Sequence, residues 1–160
     1  MKKLQLMGIL VLGLFLVACG PQKGEAPREE AAYQIDFASG QTYGFSKMSL
    51  VRVDDEVQVL EEVVPSKEAT QAIGEVLGTC QLGDPGLVYD SIPDSQSLVI
   101  RLETEAGTQT IYLYDSEVDV NTGLYHYTFD HGQGEEGFSS LLSEEDLIPK
   151  IMDLGGLEKK

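Results

Sequence analysis

The sequence predicts an α+β domain, in which an antiparallel sheet of about five strands is covered by one main helix and a short C-terminal helix. Two patterns lead to this fold class. Several short runs alternate apolar and polar residues with the period of a strand, and turn-forming residues separate them. One run between them repeats apolar residues at helical spacing instead. The chain of 160 residues is 42% apolar, which is enough for one domain with a buried core.

The first half of the domain contains a predicted hairpin followed by the main helix. Residues 43–53 (YGFSKMSLVRV) and 56–64 (EVQVLEEVV) are rich in aromatic and β-branched residues and flank an acidic turn. Pro65 ends the second strand, and Ser66 is a typical helix N-cap. Gly78 is predicted to end the helix in a left-handed C-cap. The apolar stripe of this helix consists of Ala69, Ala72, Ile73, Val76 and Leu77.

The second half contains a predicted three-stranded meander. The turn signals GDPG at residues 83–86 and IPDSQ at residues 92–96 precede it. The first strand, SLVIRLET, places its leucines and isoleucine on one face, and the turn EAG leads into the second. The three predicted strands occupy residues 97–104, 108–115 and 124–130.

A short C-terminal helix is predicted after the meander. Ser143 and Asp146 resemble a capping box at its start, and the apolar residues that follow form one face. Pro149 conflicts with a continuous helix, because a proline inside a helix removes a hydrogen bond and clashes with the preceding turn. Either a short turn ends at Ile148 and Pro149 opens a second one, or the helix is kinked. The double glycine at residues 155–156 closes the domain.

The first 20 residues have the layout of a bacterial export signal. Lys2 and Lys3 form a positive start, and the apolar run at residues 4–18 is shorter than the roughly 20 residues that a membrane-spanning helix needs. The run ends in the order Leu16, Val17, Ala18, Cys19. A branched apolar residue, a tolerant position, a small residue and a cysteine in this order resemble the lipobox of bacterial lipoprotein precursors.

The resemblance implies a location and a covalent modification. In that family a dedicated signal peptidase cuts before the cysteine, whose thiol carries a diacylglyceryl group. Cys19 would then be the lipid-bearing first residue of the mature chain, anchored to the cell membrane and facing outside the cytoplasm. The competing interpretation is a conventional secretory signal cut nearby, with Cys19 left as a thiol.

The resemblance and the composition together divide the chain into four parts. Residues 1–18 are expected to be a signal peptide, and residues 19–34 a flexible tether, because their prolines, glycines and charges cannot bury enough apolar surface to become ordered. Residues 35–157 are expected to form a single acidic domain, and residues 158–160 a tail.

The chain is strongly acidic, with a formal net charge of −16 from 27 acidic and 11 basic residues. Affinity for nucleic acid comes largely from lysine and arginine, so we expect no nucleic-acid partner. Attraction to anionic lipid is disfavoured for the same reason, and the membrane is expected to be a partner only through the lipid on Cys19. Basic peptides and divalent cations are compatible with this charge, although an acidic surface that only maintains solubility is the simpler interpretation.

One loop contains oxygen ligands at alternate positions, as calcium loops do. These are Asp115, Glu117, Asp119 and Asn121. The EF-hand pattern fails here, because Thr122 stands where a glycine is required and Thr128 where the distal glutamate is required. A solvated loop between two strands is the simpler interpretation.

A second candidate, for a small enzyme or a divalent-cation site, consists of His126, His131, Asp130, Glu135 and Glu136. The spacing of the two histidines is not that of HExxH or of a paired zinc motif. Cys80 would need one of these histidines as a base to act as a nucleophile, and it is otherwise a small buried apolar residue. Because no catalytic or cofactor motif occurs in the sequence, we expect neither an enzyme nor a cofactor.

The strands carry a cluster of tyrosines that adjacent strands could bring onto one face, namely Tyr112, Tyr114, Tyr125 and Tyr127. Phenolic rings suit contact with a peptide, a glycan or a protein surface, while ordinary cross-strand packing is the simpler interpretation. We therefore expect a binding module of the cell envelope that recognises a protein, peptide or wall component. A solute-binding lipoprotein of a transporter usually needs two lobes, for which this domain is too small.

Overall fold

A computed structural model describes residues 32–54, 56, 58–86, 98–114, 118–132 and 137–157. The described part of the chain contains nine strands and two helices. In chain order these are β1 (Tyr33–Asp36), β2 (Thr42–Phe45), β3 (Lys47–Val53), β4 (Val59–Val63), α1 (Lys67–Gly78), β5 (Gln81–Leu82), β6 (Leu98–Thr104), β7 (Gly107–Leu113), β8 (Tyr125–Asp130), β9 (Phe138–Ser143) and α2 (Leu147–Gly155).

Seven of the strands form one sheet in the order β4-β3-β6-β7-β8-β9-β5. All neighbouring pairs in it are antiparallel. The strands β1 and β2 form a separate antiparallel hairpin. The predicted α+β class with an antiparallel sheet is therefore confirmed, as are the β3–β4 hairpin and the β6–β7–β8 meander. The predicted number of about five strands is wrong, because the main sheet has seven.

The strand predicted at residues 43–53 is two strands that belong to different sheets. Phe45 and Met48 are both buried, and this spacing of three breaks the period of two that a single strand requires. The break falls at Ser46, whose backbone N–H donates to Glu103 O at 2.8 Å. β2 thus turns away to pair with β1, while β3 continues along β6.

The strand β9 was not predicted, because its sequence FSSLLS is rich in serine, which favours turns and caps. Its pairing with β8 is nevertheless regular over six residues. Ser139, Leu141 and Ser143 face the core and are buried. Register with β8 therefore outweighs the low strand propensity of the serines.

One face of the large sheet forms the core together with the two helices and the β1–β2 hairpin. Its fully buried side chains include Leu50, Ile100, Ile111 and Phe129 from four neighbouring strands, and Ile73 and Ile151 from the helices. The opposite face carries a smaller buried cluster of Val51, Val53 and Val99, against which Tyr112 packs.

Helix α1 begins as predicted and ends differently. The hydroxyl of Ser66 accepts the backbone N–H of Ala69 at 3.2 Å, which confirms the N-cap. The predicted left-handed cap at Gly78 is wrong, because Gly78 is the last helical residue and the C-cap is Thr79 in a right-handed conformation. The Thr79 hydroxyl donates to Val76 O at 2.7 Å and satisfies a terminal carbonyl in place of a glycine cap.

Helix α2 begins at Leu147, later than the sequence indicated. Asp146 is its N-cap and accepts the backbone N–H of Ile148 at 3.0 Å. Pro149 is then the third helical residue, where no N–H is needed, so both expected outcomes, a second turn at Pro149 and a kink, are wrong. The buried hydroxyl of Tyr127 also accepts the N–H of Leu147 at 3.1 Å, which ties β8 to the start of this helix.

Helix α2 ends in the predicted double glycine. Gly156 adopts a left-handed conformation with φ of 72°, and the N–H of Leu157 donates to Met152 O at 2.9 Å. Of the helices in the described residues, none has the length and apolar character that crossing a membrane requires.

Candidate functional site

An open groove with a volume of about 600 Å³ lies between α1 and β1. We call it the α1–β1 groove. It begins at Ala32, the first described residue, so the chain from the amino terminus enters the domain beside it. Its lining consists of Ala32, Tyr33, Gln34, Asp36, Lys67, Thr70, Gln71, Gly74, Glu75, Gly78 and Thr79.

The floor of the groove is a close contact between the backbones of α1 and β1. Phe37 N–H donates to Gln41 O at 2.9 Å on the β2 side, so the alternate carbonyls of Gln34 and Asp36 face the helix. A Cβ atom on Gly74 would lie 3.3 Å from Gln34 O, and one on Gly78 would lie 2.8 Å from Asp36 O. Glycine at both positions therefore allows the helix to approach the strand.

The walls of the groove carry polar side chains of mixed character. Asp36 is fixed by two neighbours, because Gln34 Nε2 donates to its Oδ2 at 2.9 Å and Thr42 Oγ1 donates to its Oδ1 at 2.7 Å. Along the helix, Lys67, Gln71 and Glu75 are exposed. Tyr33 forms the aromatic part of the rim and stacks on Phe45 with ring centroids 5.4 Å apart.

This lining can donate and accept hydrogen bonds in similar measure. The carboxamides of Gln34 and Gln71 do both, Lys67 donates, and Glu75 accepts. Peptide backbones and glycans present the same mixture of donors and acceptors. The groove is thus suited to a polar ligand of that kind rather than to a large apolar molecule.

The sequence contained one signal for this groove that the prediction did not use. Gly74 interrupts an otherwise regular helical pattern, and an isolated glycine there often marks a close approach of another backbone. The strand side of the groove was not predicted, because Tyr33 and Gln34 fall in the expected tether. β1 in fact begins at Tyr33, two residues before the expected start of the domain.

The four strand tyrosines do not share one exposed face. Tyr127 and Tyr114 are buried, with 2% and 9% of their surfaces exposed. Tyr125 is half-buried and stacks on Tyr127 on the core side of the sheet. Tyr112 is also half-buried, but it packs on the valine cluster of the opposite face.

The two histidines are not brought together. His126 is the second residue of β8 and His131 directly follows the last, so about 17 Å of extended chain separates them and alternation places them on opposite faces. His126 Nε2 lies 3.6 Å from Asp119 Oδ2 and 3.2 Å from the Thr122 hydroxyl. Glu135 and Glu136, the acids expected near the histidines, lie outside the described residues.

His131 belongs to a buried polar pair instead. Its Nε2 lies 2.8 Å from the hydroxyl of Ser139, and both residues are buried. Its ring packs against Phe129 with centroids 4.4 Å apart and against Tyr43 at 5.5 Å. Burial lowers the pKa of His131 below its ordinary value, while the negative charge of Asp130 acts in the opposite direction. The neutral imidazole is therefore the form that the fold favours.

The carboxylate of Asp119 binds the backbone of the turn that follows it. Its Oδ1 accepts the backbone N–H groups of Asn121 at 2.7 Å and Thr122 at 3.2 Å. The hydrogen bond from Asn121 is the main reason why the pKa of Asp119 is lowered. Asp115 and Glu117, the other acids of the predicted calcium loop, lie outside the described residues. Among described residues, no group of three or more histidine, cysteine or acidic side chains is placed to hold a metal ion.

Cys80 is a free and fully buried thiol. Burial raises its pKa to about 11, so the thiolate that a nucleophile or metal ligand needs is disfavoured. The predicted signal peptide, Cys19, most of the tether, the IPDSQ turn and the tail all lie outside the described residues.

Comparison with protein-family models, with curated proteins and with solved structures finds no match to this chain.

Replacing Gly78 with alanine is expected to lower the free energy of unfolding by about 1–3 kcal/mol, because the new Cβ would overlap the backbone carbonyl of Asp36. Alanine at Gly74 should cost less, since its Cβ has more room. Urea denaturation followed by circular dichroism measures both. On helix propensity alone, alanine would stabilise each position by about 1 kcal/mol, so a Gly78→Ala variant more stable than the parent chain would contradict the close contact.

The buried His131 is expected to make stability depend on pH. Its pKa is lowered in the folded state, so the unfolded chain binds the proton more readily. The stabilisation that comes from neutral His131 is fully present above the histidine pKa of the unfolded chain, which is about 6.5. It is lost as the pH falls from there towards the folded-state pKa, and the loss is about 1.4 kcal/mol for each unit by which folding lowers the pKa. Urea denaturation at pH 7, 6 and 5 should show a smaller decrease for His131→Gln than for the parent chain. Equal decreases would contradict this.

Proposed function

We propose that this chain is a membrane-anchored lipoprotein of the bacterial cell envelope whose domain binds a polar partner, a protein segment, a peptide or a wall component, in the α1–β1 groove. The observation that carries the binding part is the groove itself, with its glycine floor and its donor and acceptor side chains. The observation that supports the anchor is the order Leu16, Val17, Ala18, Cys19 after an apolar run with a basic start.

The position of the groove is consistent with an anchored role. Ala32 is thirteen positions after Cys19 in the sequence, a length of chain that at full extension spans at most about 45 Å. A lipid on Cys19 would therefore hold the groove near the bilayer surface. Two acyl chains are enough for stable anchoring, at about 0.8 kcal/mol for each buried methylene. The bound partner would then be a component of the membrane surface or of the adjacent wall.

The carboxylate of Asp36 is held in one position in the groove, so it can orient a bound ligand. Because Gln34 and Thr42 hold the Asp36 carboxylate, its position costs little further ordering when a ligand binds. Lys67, Gln71 and Glu75 lie on successive turns of α1. Along the helix they present a positive charge, then a carboxamide, then a negative charge. An extended ligand along α1 can use all three.

The anchor is tested by expressing the chain in a bacterium and measuring the mass of its mature amino terminus. We expect Cys19 to be the first residue and to carry a diacylglyceryl group. A Cys19→Ser variant should lose the lipid and move from the detergent phase to the aqueous phase in a phase-partition experiment. The Cys80→Ala variant is the matched control and should stay lipidated. An unmodified Cys19 in the parent chain, or a terminus elsewhere, would overturn the anchor.

The groove is tested by a photo-crosslinking amino acid placed at Gln71 in the full chain, in cells. We expect a discrete adduct from Gln71 and none from the same probe at Asn121, which is exposed in the loop before β8. Adducts of equal yield at the two positions, or none at Gln71, would contradict a binding role for the groove. The mass of the amino terminus reports on the anchor and the adduct at Gln71 reports on the groove, so each half of the proposal has its own readout.

A further inference from the structure

The strand β4 is a terminal strand of the seven-stranded sheet, and no other strand of the described residues pairs with its outer edge. One of its edges pairs with β3, through Glu62 with Val51 and Glu61 with Arg52. On the opposite edge, alternate N–H and C=O groups point away from the sheet and can pair with a further strand. No residue of β4 lines the α1–β1 groove, so this edge is a separate surface.

Large apolar side chains are exposed on and next to this edge. Val59, Leu60 and Val64 are 56%, 45% and 57% exposed. The remaining exposed large apolar residues in the described chain are Val118 and Val120, which lie in a loop. Edge strands are commonly protected by lysine or proline, and β4 contains neither. The bulge between Arg52 and Val53 leaves residues 61–63 as the regular part of the edge.

The sequence around β4 is acidic, and nearby arginines neutralise its negative charge only in part. Residues 54–66 contain five acidic residues and no basic one. Glu61 lies 3.7 Å from Arg52 Nε, and Glu62 lies 3.5 Å from Arg101 Nη1. Both distances exceed the roughly 2.7–2.9 Å of a strong charge-assisted hydrogen bond. Each carboxylate thus has capacity for another cation, one on each face of the strand.

A second copy of this chain is a poor occupant of the edge. Antiparallel pairing of two β4 strands would place glutamates opposite or next to glutamates, and directly opposed like charges destabilise a sheet. Each copy also carries a formal net charge of −16. The same observations favour a partner of the opposite sign.

We propose that the β4 edge binds an extended segment of another protein, which adds as a further strand and carries β-branched residues together with a lysine or arginine on each of its two faces. The backbone of the segment pairs along residues 61–63, and its apolar side chains contact Val59 and Val64. A basic side chain on one face of the segment meets Glu61, and one on the other face meets Glu62. Main-chain hydrogen bonds supply affinity in such strand addition, and the side chains supply specificity.

The test uses the full chain in detergent and a displayed library of random peptides about twelve residues long. We expect the selected peptides to contain β-branched residues, to carry basic residues on both faces of the strand, and to bind more weakly as the salt concentration rises. Methylating the alternate backbone amides that face β4 should abolish binding of a selected peptide. A selection without basic residues, or binding insensitive to amide methylation, would overturn the proposal.

Two variants locate the site. The double variant Val59→Lys and Val64→Lys should weaken binding of a selected peptide at least tenfold, while Val120→Lys, at a 95% exposed valine away from the sheet, should leave it unchanged. All three positions are exposed, and unchanged melting temperatures confirm that the variants fold. Equal binding by the double variant and the parent chain would overturn the proposal. A parent chain that sediments as a dimer, dissociated by the double variant, would identify a second copy as the occupant and would also overturn it.

Discussion

The contact between α1 and β1 is the constraint on which the arrangement of this domain depends. The apolar face of the seven-stranded sheet is covered by two helices of twelve and nine residues and by the small β1–β2 hairpin. The hairpin is held against the helix because Gly74 and Gly78 let two backbones meet without side chains between them. The same contact places Ile35 and Phe45 of the hairpin in the main core. A side chain at Gly78 would overlap the Asp36 carbonyl and push the helix away from the strand, whereas one at Gly74 would require a smaller shift.

The elements that the sequence predicted well are those in which one periodicity runs without interruption. The α1 stripe and the β6–β7 alternation each repeat over at least seven residues, so local pattern and tertiary packing agree. The errors arose where tertiary contacts override the local pattern. The serine-rich segment of β9 becomes a strand because it pairs in register with β8. Ser46 separates two strands that look continuous in sequence.

The candidate sites were harder to predict than the fold, for a related reason. A site depends on which side chains converge, and convergence is set by the face of a strand and the order of strands in a sheet. The tyrosines were correctly placed on or next to strands, but their distribution over two faces follows from registers that the sequence does not state. The groove was missed because its two walls come from segments that were interpreted separately, one as tether and one as the solvent side of a helix.

The unequal ends of the main sheet limit what the molecule can assemble into. β4 has five residues, whereas the terminal strand at the other end of the described sheet, β5, has two. A filament of sheets joined edge to edge needs two edge strands on every subunit that can pair with another strand, because each subunit has a neighbour on both sides. A chain with one long end and one very short end terminates such growth after a single addition. Its complexes through this sheet should therefore be of fixed one-to-one stoichiometry.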